Sequence, residues 1–374
     1  MPHQYRAERV AYIDGRVPLS IFGSGYPRAA AIVRALQRHS KEVVVVSLDR
    51  TSFEWSALWG EISRDVCCLQ VGFDGSRRAL LAAAIASSDV LWVSRPDSMR
   101  AILETASSRE LRRIRVVYDA EAVFSLREQR KRALLGTEIG DTSALIEELE
   151  LMRHANHVTV VSQSEAAIVQ AYCPDLSISL LTHSVAPQTI ARDDKATDVL
   201  IFGAIHAIDS PNGDGLFWFL NEVYPRISGR IAGNLLVAGH SPELSSAALM
   251  PAGRGRVRLL GEVENFEDAF KRVKLAVVPT RYSAGIPLKV LTLASLGIPV
   301  FGTDLVVEQI GWVKGLEIEG ADFRDAAQFG NQMITAYMND DLLDGLAARA
   351  TKRLVEDYSC IEFDRAVGLA LGIA

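Results

Sequence analysis

The sequence predicts an α/β protein of two Rossmann-like domains facing a central cleft. Three observations lead there. Short β-branched runs alternate with amphipathic stretches along the 374 residues, the pattern of repeated βαβ units. Several runs are continuously apolar, as expected of parallel strands buried on both faces. The pattern pauses once near the middle and then restarts.

In chain order, the strand candidates of the first half are "RVAYI", "EVVVVS", "DVLWVS", "IRVVYD", "HVTVVS" and "ISLLT". The pause is "SVAPQTIARDDKATD", residues 184 to 198, polar and interrupted by Pro187, which reads as an interdomain linker. The second half offers "DVLIFGAI", "NLLVAG", "VRLLGEV", "LAVVPT" and "IPVFGT". The closing "CIEFDRAVGLALGIA" reads as an apolar helix that packs on a domain. The expected division is therefore 1–188, 196–355, and a terminal helix within 356–374 that returns to the first domain.

Composition narrows the class. Hydrophobic residues make up 49% and charged residues 23%, as in soluble globular proteins. A formal net charge of -6 argues against a nucleic-acid binder, which carries a basic stripe. Cys67, Cys68, Cys173 and Cys360 show no metal-ligand spacing, and free, partly buried thiols are expected. The N-terminal "MPHQYRAERVAYIDG" has no apolar signal core. The run "ALLAAAIASSDVLWV" is broken by Ser87, Ser88 and Asp89 and is too short to span a membrane. A cytoplasmic protein is expected, with peripheral membrane contact left open.

In open α/β sheets, ligands bind beyond the carboxyl ends of the strands, so functional residues are sought there. After "LAVVPT" comes "RYSAGIPLKVLTLASLGIPV", with Arg281, Lys289 and no acid up to Val300. Pro287 suits the first turn of a helix and Gly297 its end, which predicts a helix over roughly 287–296. A cation in that first turn is repelled by the helix dipole, unless an anion sits on the free N–H groups. Arg281 and Lys289 are thus candidates for a phosphate clamp; the alternative is two solvated surface charges.

Other strand ends add candidates. "FGSGYPRAAAIVRAL" follows the first strand and offers Gly23, Gly25 and Arg28, or merely a strand-to-helix turn. "YDAEAVFSLREQR" offers Asp119 and Glu121 as base or sugar ligand; the alternative is that Asp119 caps and Glu121 pairs with an arginine. In "FGAIHAIDSPNGDG", Gly203 and His206 lie in a small flexible loop before a helix start at Ser210, Pro211 and Asp214. His154 and His157 have helical spacing but no third ligand nearby, so no metal site is expected. Ser162 and Glu165 read as a capping box.

The stretches "DVLIFGAIHAIDSPNGDGLFWFLNEVYPRI", "NLLVAGHSP", "VRLLGEVENFEDAF" and "LAVVPTRYSAGIPLKVLTLASLGIPVFGTD" occur in this order. Together they resemble the family-4-type retaining glycosyltransferases of the GT-B fold, mostly bacterial; the likeness is strongest from about 198 to 312 and looser before. The resemblance implies a metal-independent, cofactor-free transferase of polysaccharide biosynthesis. Its second domain would bind a nucleotide-sugar donor through Gly203, His206, Gly239, Ser283, Gly285, Ile286, Leu288, Lys289 and Thr292. Its first domain would bind an unidentified acceptor (a glycan, a lipid-linked glycan or a protein) through Gly25 and Arg28. Glu121, Asp119, Arg281 and Lys289 would serve catalysis, which leans on stabilising the leaving diphosphate of an oxocarbenium-like transition state.

The chain departs from the family at one functional position. Thr292 stands where the family places a ribose-binding Glu, and Ala284 where it places an earlier one. A charged hydrogen bond of that kind is worth about 1.5–3 kcal/mol, roughly 10- to 150-fold in affinity. The second reading is therefore a catalytically degenerate relative that binds a glycan or a partner. A sugar-nucleotide epimerase ranks third.

Overall fold

The β-branched runs become strands of two parallel sheets in the computed structural model, which describes residues 7–23, 25–72, 76–137, 142–205, 207–241 and 256–373. Among these residues the first sheet comprises β1 (Ala7–Asp14), β2 (Ser40–Ser47), β3 (Cys67–Gln70), β4 (Val90–Ser94), β5 (Arg115–Asp119), β6 (His157–Val160) and β7 (Ile178–Leu180), in the order β3-β2-β1-β4-β5-β6-β7. The second comprises β8 (Asp198–Phe202), β9 (Leu235–Ala238), β10 (Val257–Gly261), β11 (Val273–Val278), β12 (Val300–Thr303) and β13 (Glu319–Ala321), in the order β10-β9-β8-β11-β12-β13. Their pairs are parallel, with Val10 opposite Val43 and Val90, for example. Strand order reverses between β1 and β4, and again between β8 and β11. Such switch points are where open α/β sheets bind ligands.

The continuously apolar runs are buried as expected: Val43, Val44, Val45 and Val46 of β2 are at most 4% exposed. Two strands were not expected, β3 and β13. Both lie at a sheet edge and are only four and three residues long, without the β-branched run that marks the inner strands. His157 falls on β6, where Nδ1 meets Ser177 Oγ at 2.9 Å and Nε2 meets Ser179 Oγ at 2.7 Å. Burial pushes its pKa down to about 4, so it is a neutral core histidine. Ser162 Oγ accepts the Glu165 N–H, but the Glu165 carboxylate accepts the Val123 N–H, tying the helix Gln163–Tyr172 to the chain after β5.

The chain divides into a first unit of Met1–Gln129, Gly140–Ser184 and Cys360–Ala374, and a second of Arg130–Ile139 and Val185–Ser359. These limits differ from the expected ones in detail. Most of the pause belongs to the second unit, because Gln188 and Ile190 donate their N–H groups to the carbonyls of Ser295 and Leu296. The helix Asp340–Asp357 also stays with the second unit, and the terminal helix starts only at Cys360. That last helix packs within the first unit on the helix Tyr26–His39, burying Phe363, Val367 and Ala370 in its core. Arg38 Nε bonds Asp364 at 2.8 Å, and Arg115 donates to Ala370 O at 2.9 Å. Among the described residues no helix is long and apolar enough to cross a membrane.

The apolar face, not the ion pair, holds the terminal helix. Phe363→Ala is expected to destabilise the first unit by about 3 kcal/mol. Asp364→Asn, at a half-exposed pair, is expected to cost under about 1 kcal/mol. Denaturant unfolding of both variants followed by circular dichroism measures the difference.

Candidate functional site

At the first switch point the ends of β1, β4 and β5 bring charged residues together. Arg95, directly after β4, donates from Nη1 to both Asp14 oxygens at 2.7 and 2.8 Å and from Nε to Glu121 Oε2 at 2.5 Å. Its guanidinium lies 4.5 Å from the centroid of the Tyr26 ring. Arg95 and Glu121 are the non-glycine residues with positive φ among those described, at 73° and 55°. Such backbone is costly and collects at functional sites; here the two strained residues are bonded to each other. Burial raises the Asp14 carboxyl to about 7 against the pull of Arg95, with Glu121 adding to the rise. A cavity of about 620 Å³ opens on this cluster, lined among others by Asp14, Arg16, Gly25, Tyr26, Arg95 and Glu121.

Gly25 belongs to this cavity for a steric reason. A Cβ there would stand 1.8 Å from Glu121 Oε1, so any side chain displaces the carboxylate.

Two sequence-derived candidates are corrected. Arg28 is not exposed to a ligand: it is 3% exposed and holds Asp119 in a fork at 2.7 and 2.8 Å. It also donates to Thr182 O at 2.9 Å and Leu181 O at 2.8 Å. Asp119 is 1% exposed and also accepts from Thr159 Oγ1 at 2.7 Å. Burial alone would raise its pKa, but the Arg28 charge and hydrogen bonds outweigh that and hold it below the carboxylate range. The pair is a buried brace between the helix Tyr26–His39 and the end of β5, not a base and an acceptor ligand. Asp14 and Arg95 were missed; their signal was position, since each ends or follows a strand at the switch point.

At the second switch point, the helix after β11 spans Leu288–Ser295 and Pro287 is its N-cap, one residue later than expected. Lys289 lies in the first turn. Its Nζ donates to Thr280 Oγ1 at 3.0 Å and to Asn212 Oδ1. Both acceptors are neutral, and the ammonium has three donors. Burial pushes its pKa down to about 8, leaving it protonated at neutral pH. A small pocket of about 10 Å³, lined by Gly203, Asn212, Thr280 and Lys289 among others, holds no more than about one water.

Arg281 was expected to stand unpaired; instead it grips Asp214, with Nε to Oδ2 at 2.8 Å and Nη2 to Oδ1. The acid comes from the start of the helix Pro211–Trp218, 67 residues away in sequence. Gly203, with φ 143°, and Gly239, with φ 131°, pack backbone to backbone, and a Cβ on Gly239 would stand 2.3 Å from Gly203 O. Gly285 has φ 74° in the turn that leads to Pro287. Ser283 Oγ donates to Gln309 Oε1 at 2.8 Å, and Ile286 and Leu288 pack on the second unit's core. Thr292 Oγ1 donates to Leu288 O at 3.1 Å. His206 lies outside the described residues. Asn212 and Thr280, which hold Lys289, were not anticipated from the sequence.

Residues 196–339 match the family described as Glycosyl transferases group 1. The match lies within the second unit and covers less than half of the 374 residues. No curated protein matches the chain. Solved structures resemble it over nearly its whole length. HepE from Anabaena, in complex with UDP and glucose, has 12% identity and a TM-score of 0.70, covering 98% of this chain and 99% of its own. Sucrose-phosphate synthase from Thermosynechococcus elongatus has 14% identity and a TM-score of 0.70, with coverage of 98% and 97%. The lipopolysaccharide outer core galactosyltransferase WaaB, in its apo form, has 15% identity and a TM-score of 0.65, with coverage of 97% and 99%. At these identities the likeness carries the fold: the chain has the two Rossmann-like units of the GT-B glycosyltransferases.

Burial separates brace from site. Arg28→Met leaves Asp119 charged and alone in the core, and is expected to cost about 3–5 kcal/mol in urea unfolding. Glu121→Gln, at the cavity wall, leaves Arg95 its Asp14 partner and is expected to cost less, about 1.5 kcal/mol.

Proposed function

We propose that the protein is a glycosyltransferase that moves a sugar from a nucleotide diphosphate to an acceptor, with retention of anomeric configuration and without a metal ion. One observation carries this: Lys289, in the first turn of a helix after β11, buries its ammonium with only neutral oxygens as partners among the described residues. Helix dipole and desolvation both oppose a cation there. A diphosphate on the Leu288 and Lys289 N–H groups would reverse both effects. The glycosyltransferase match over the same unit and the UDP complex of HepE support the same ligand.

In this reading the leaving diphosphate takes its charge compensation from Lys289 and the helix N-terminus. Arg281, already neutralised by Asp214, orients the loop. The acceptor hydroxyl would enter the first unit's cavity, where Glu121 and Arg95 offer an acceptor and donors for its hydroxyl groups. The bond from anomeric carbon to phosphate oxygen breaks, one to the acceptor oxygen forms, and the acceptor hydroxyl's proton passes to the departing diphosphate oxygen. Retention rests on the family resemblance. Thr292 uses its proton on Leu288 O but keeps an oxygen lone pair for a ribose hydroxyl, a weaker neutral bond. A second reading, a non-catalytic binding protein, is favoured by Thr292 together with the closed Arg281–Asp214 pair.

Calorimetric titration with UDP, GDP and dTDP decides between them. One nucleotide is expected to bind saturably, and Lys289→Ala to weaken it roughly 10- to 150-fold. Since burial holds Lys289 near pH 8, an anion binds best to its protonated form. Affinity is therefore expected to be highest near pH 7, to fall as pH rises through 8 and above, and to fall below about pH 6 as the terminal phosphate takes up a proton. Absence of binding by all three nucleotides would leave the non-catalytic reading.

A further inference from the structure

The first unit's cavity does not end at its charged floor. Tyr26 and Phe22 line or border it and meet edge to face at 5.7 Å between centroids. Phe22 meets Phe53 at 6.5 Å, Phe53 meets Trp55 at 5.0 Å, and Trp55 stacks on Trp59 at 5.4 Å with 25° between planes. Phe22, Tyr26, Phe53 and Trp59 each pack one side on the unit's core and are only partly buried. Trp55 is 48% exposed.

The rings are held firmly. The turn Ser20–Phe22 is tied to the helix Trp55–Glu61 by Glu61, which accepts from Ser20 N at 2.8 Å and Ser20 Oγ at 2.7 Å. The loop before that helix is pinned by Gln70 Nε2, which donates to Asp49 O at 3.1 Å and Thr51 O at 2.9 Å. Leu58, fully buried, anchors the helix from below. Ordering these side chains on binding therefore costs little further entropy.

We propose that this aromatic run is a glycan-binding platform continuous with the cavity, so that the acceptor is an oligosaccharide or polysaccharide held through several sugar units. The inference rests on the acceptor role of the cavity given above. Arg95 and Arg16 already lie over the Tyr26 and Phe22 rings, so the face offered to a sugar is that of the exposed Trp55; its negative charge density attracts the weakly positive C–H groups on the apolar face of a pyranose. The polar edges of the sugar then meet the mixed acids and arginines of the cavity. A membrane surface fits less well. Between residues 49 and 65 the chain carries Asp49, Glu54, Glu61 and Asp65 against Arg50 and Arg64, a net negative charge that anionic lipid repels.

The test uses the full chain and a printed array of α-glucan, β-glucan, chitin and mannan oligosaccharides, each graded from one to six units. At least one series is expected to bind more tightly with length. Trp55→Ala is expected to weaken the longest members about three- to tenfold and to leave the monosaccharide unchanged. Trp55 is exposed and outside the core, so the variant folds; its UDP titration is expected to match the parent. Absence of length dependence in every series overturns the proposal. So does length-dependent binding that Trp55→Ala leaves intact, or Trp55-dependent binding to phosphatidylglycerol vesicles instead. Failure of the transferase reading is seen separately, as loss of UDP binding. Length-dependent, Trp55-dependent glycan binding without UDP binding would keep the platform on a non-catalytic protein.

Discussion

Parallel strands buried on both faces impose the constraint on which the rest depends. Each strand needs a crossover segment, usually a helix, to return to the same edge, and each crossover covers one face of the sheet. Where the order reverses, adjacent crossovers leave by opposite faces and the carboxyl ends between them stay uncovered. That is where Asp14 and Arg95 stand at the ends of β1 and β4. It is also where Gly203 and Thr280 stand beyond β8 and β11. The same topological rule thus produces both candidate sites, each within its own unit.

Burial then assigns roles to side chains of the same chemistry. Among the arginine–carboxylate pairs at the strand ends, three differ clearly in burial. The Arg28–Asp119 pair is 1% and 2% exposed at its side chains, whereas Arg95–Glu121 is 20% and 19% and Arg281–Asp214 is 22% and 17%. The first is saturated by Thr159, Leu181 and Thr182 and can only brace. The second faces a cavity and carries backbone strain, so its atoms stay available to a ligand. Breaking the first leaves a lone charge in the core, the most damaging kind of polar mutation.

Lys289 illustrates the opposite design. Its neighbours are oxygens without charge, its position opposes the helix dipole, and burial lowers its pKa to about 8. Gly203 and Gly239 keep the backbone beside it close and free of side chains. Its neutral neighbours and its place at the helix start both disfavour a lone cation, and a bound anion would offset them.

The sequence by itself determined the class of fold, because β-branched runs, strand-end glycines and prolines act locally. All eleven expected strand regions form strands, and only the short edge strands β3 and β13 lacked a local signal. The helix after β11 was legible for the same reason, since Pro287, Lys289 and Gly297 lie within one turn-and-helix segment. Partners were not legible. Asp214 lies 67 residues from Arg281, Asp119 lies 91 from Arg28, and Asp14 lies 81 from Arg95. No local preference links such residues; only the crossover topology brings them within hydrogen-bond reach. The tertiary structure alone therefore decided which charges neutralise each other inside the protein.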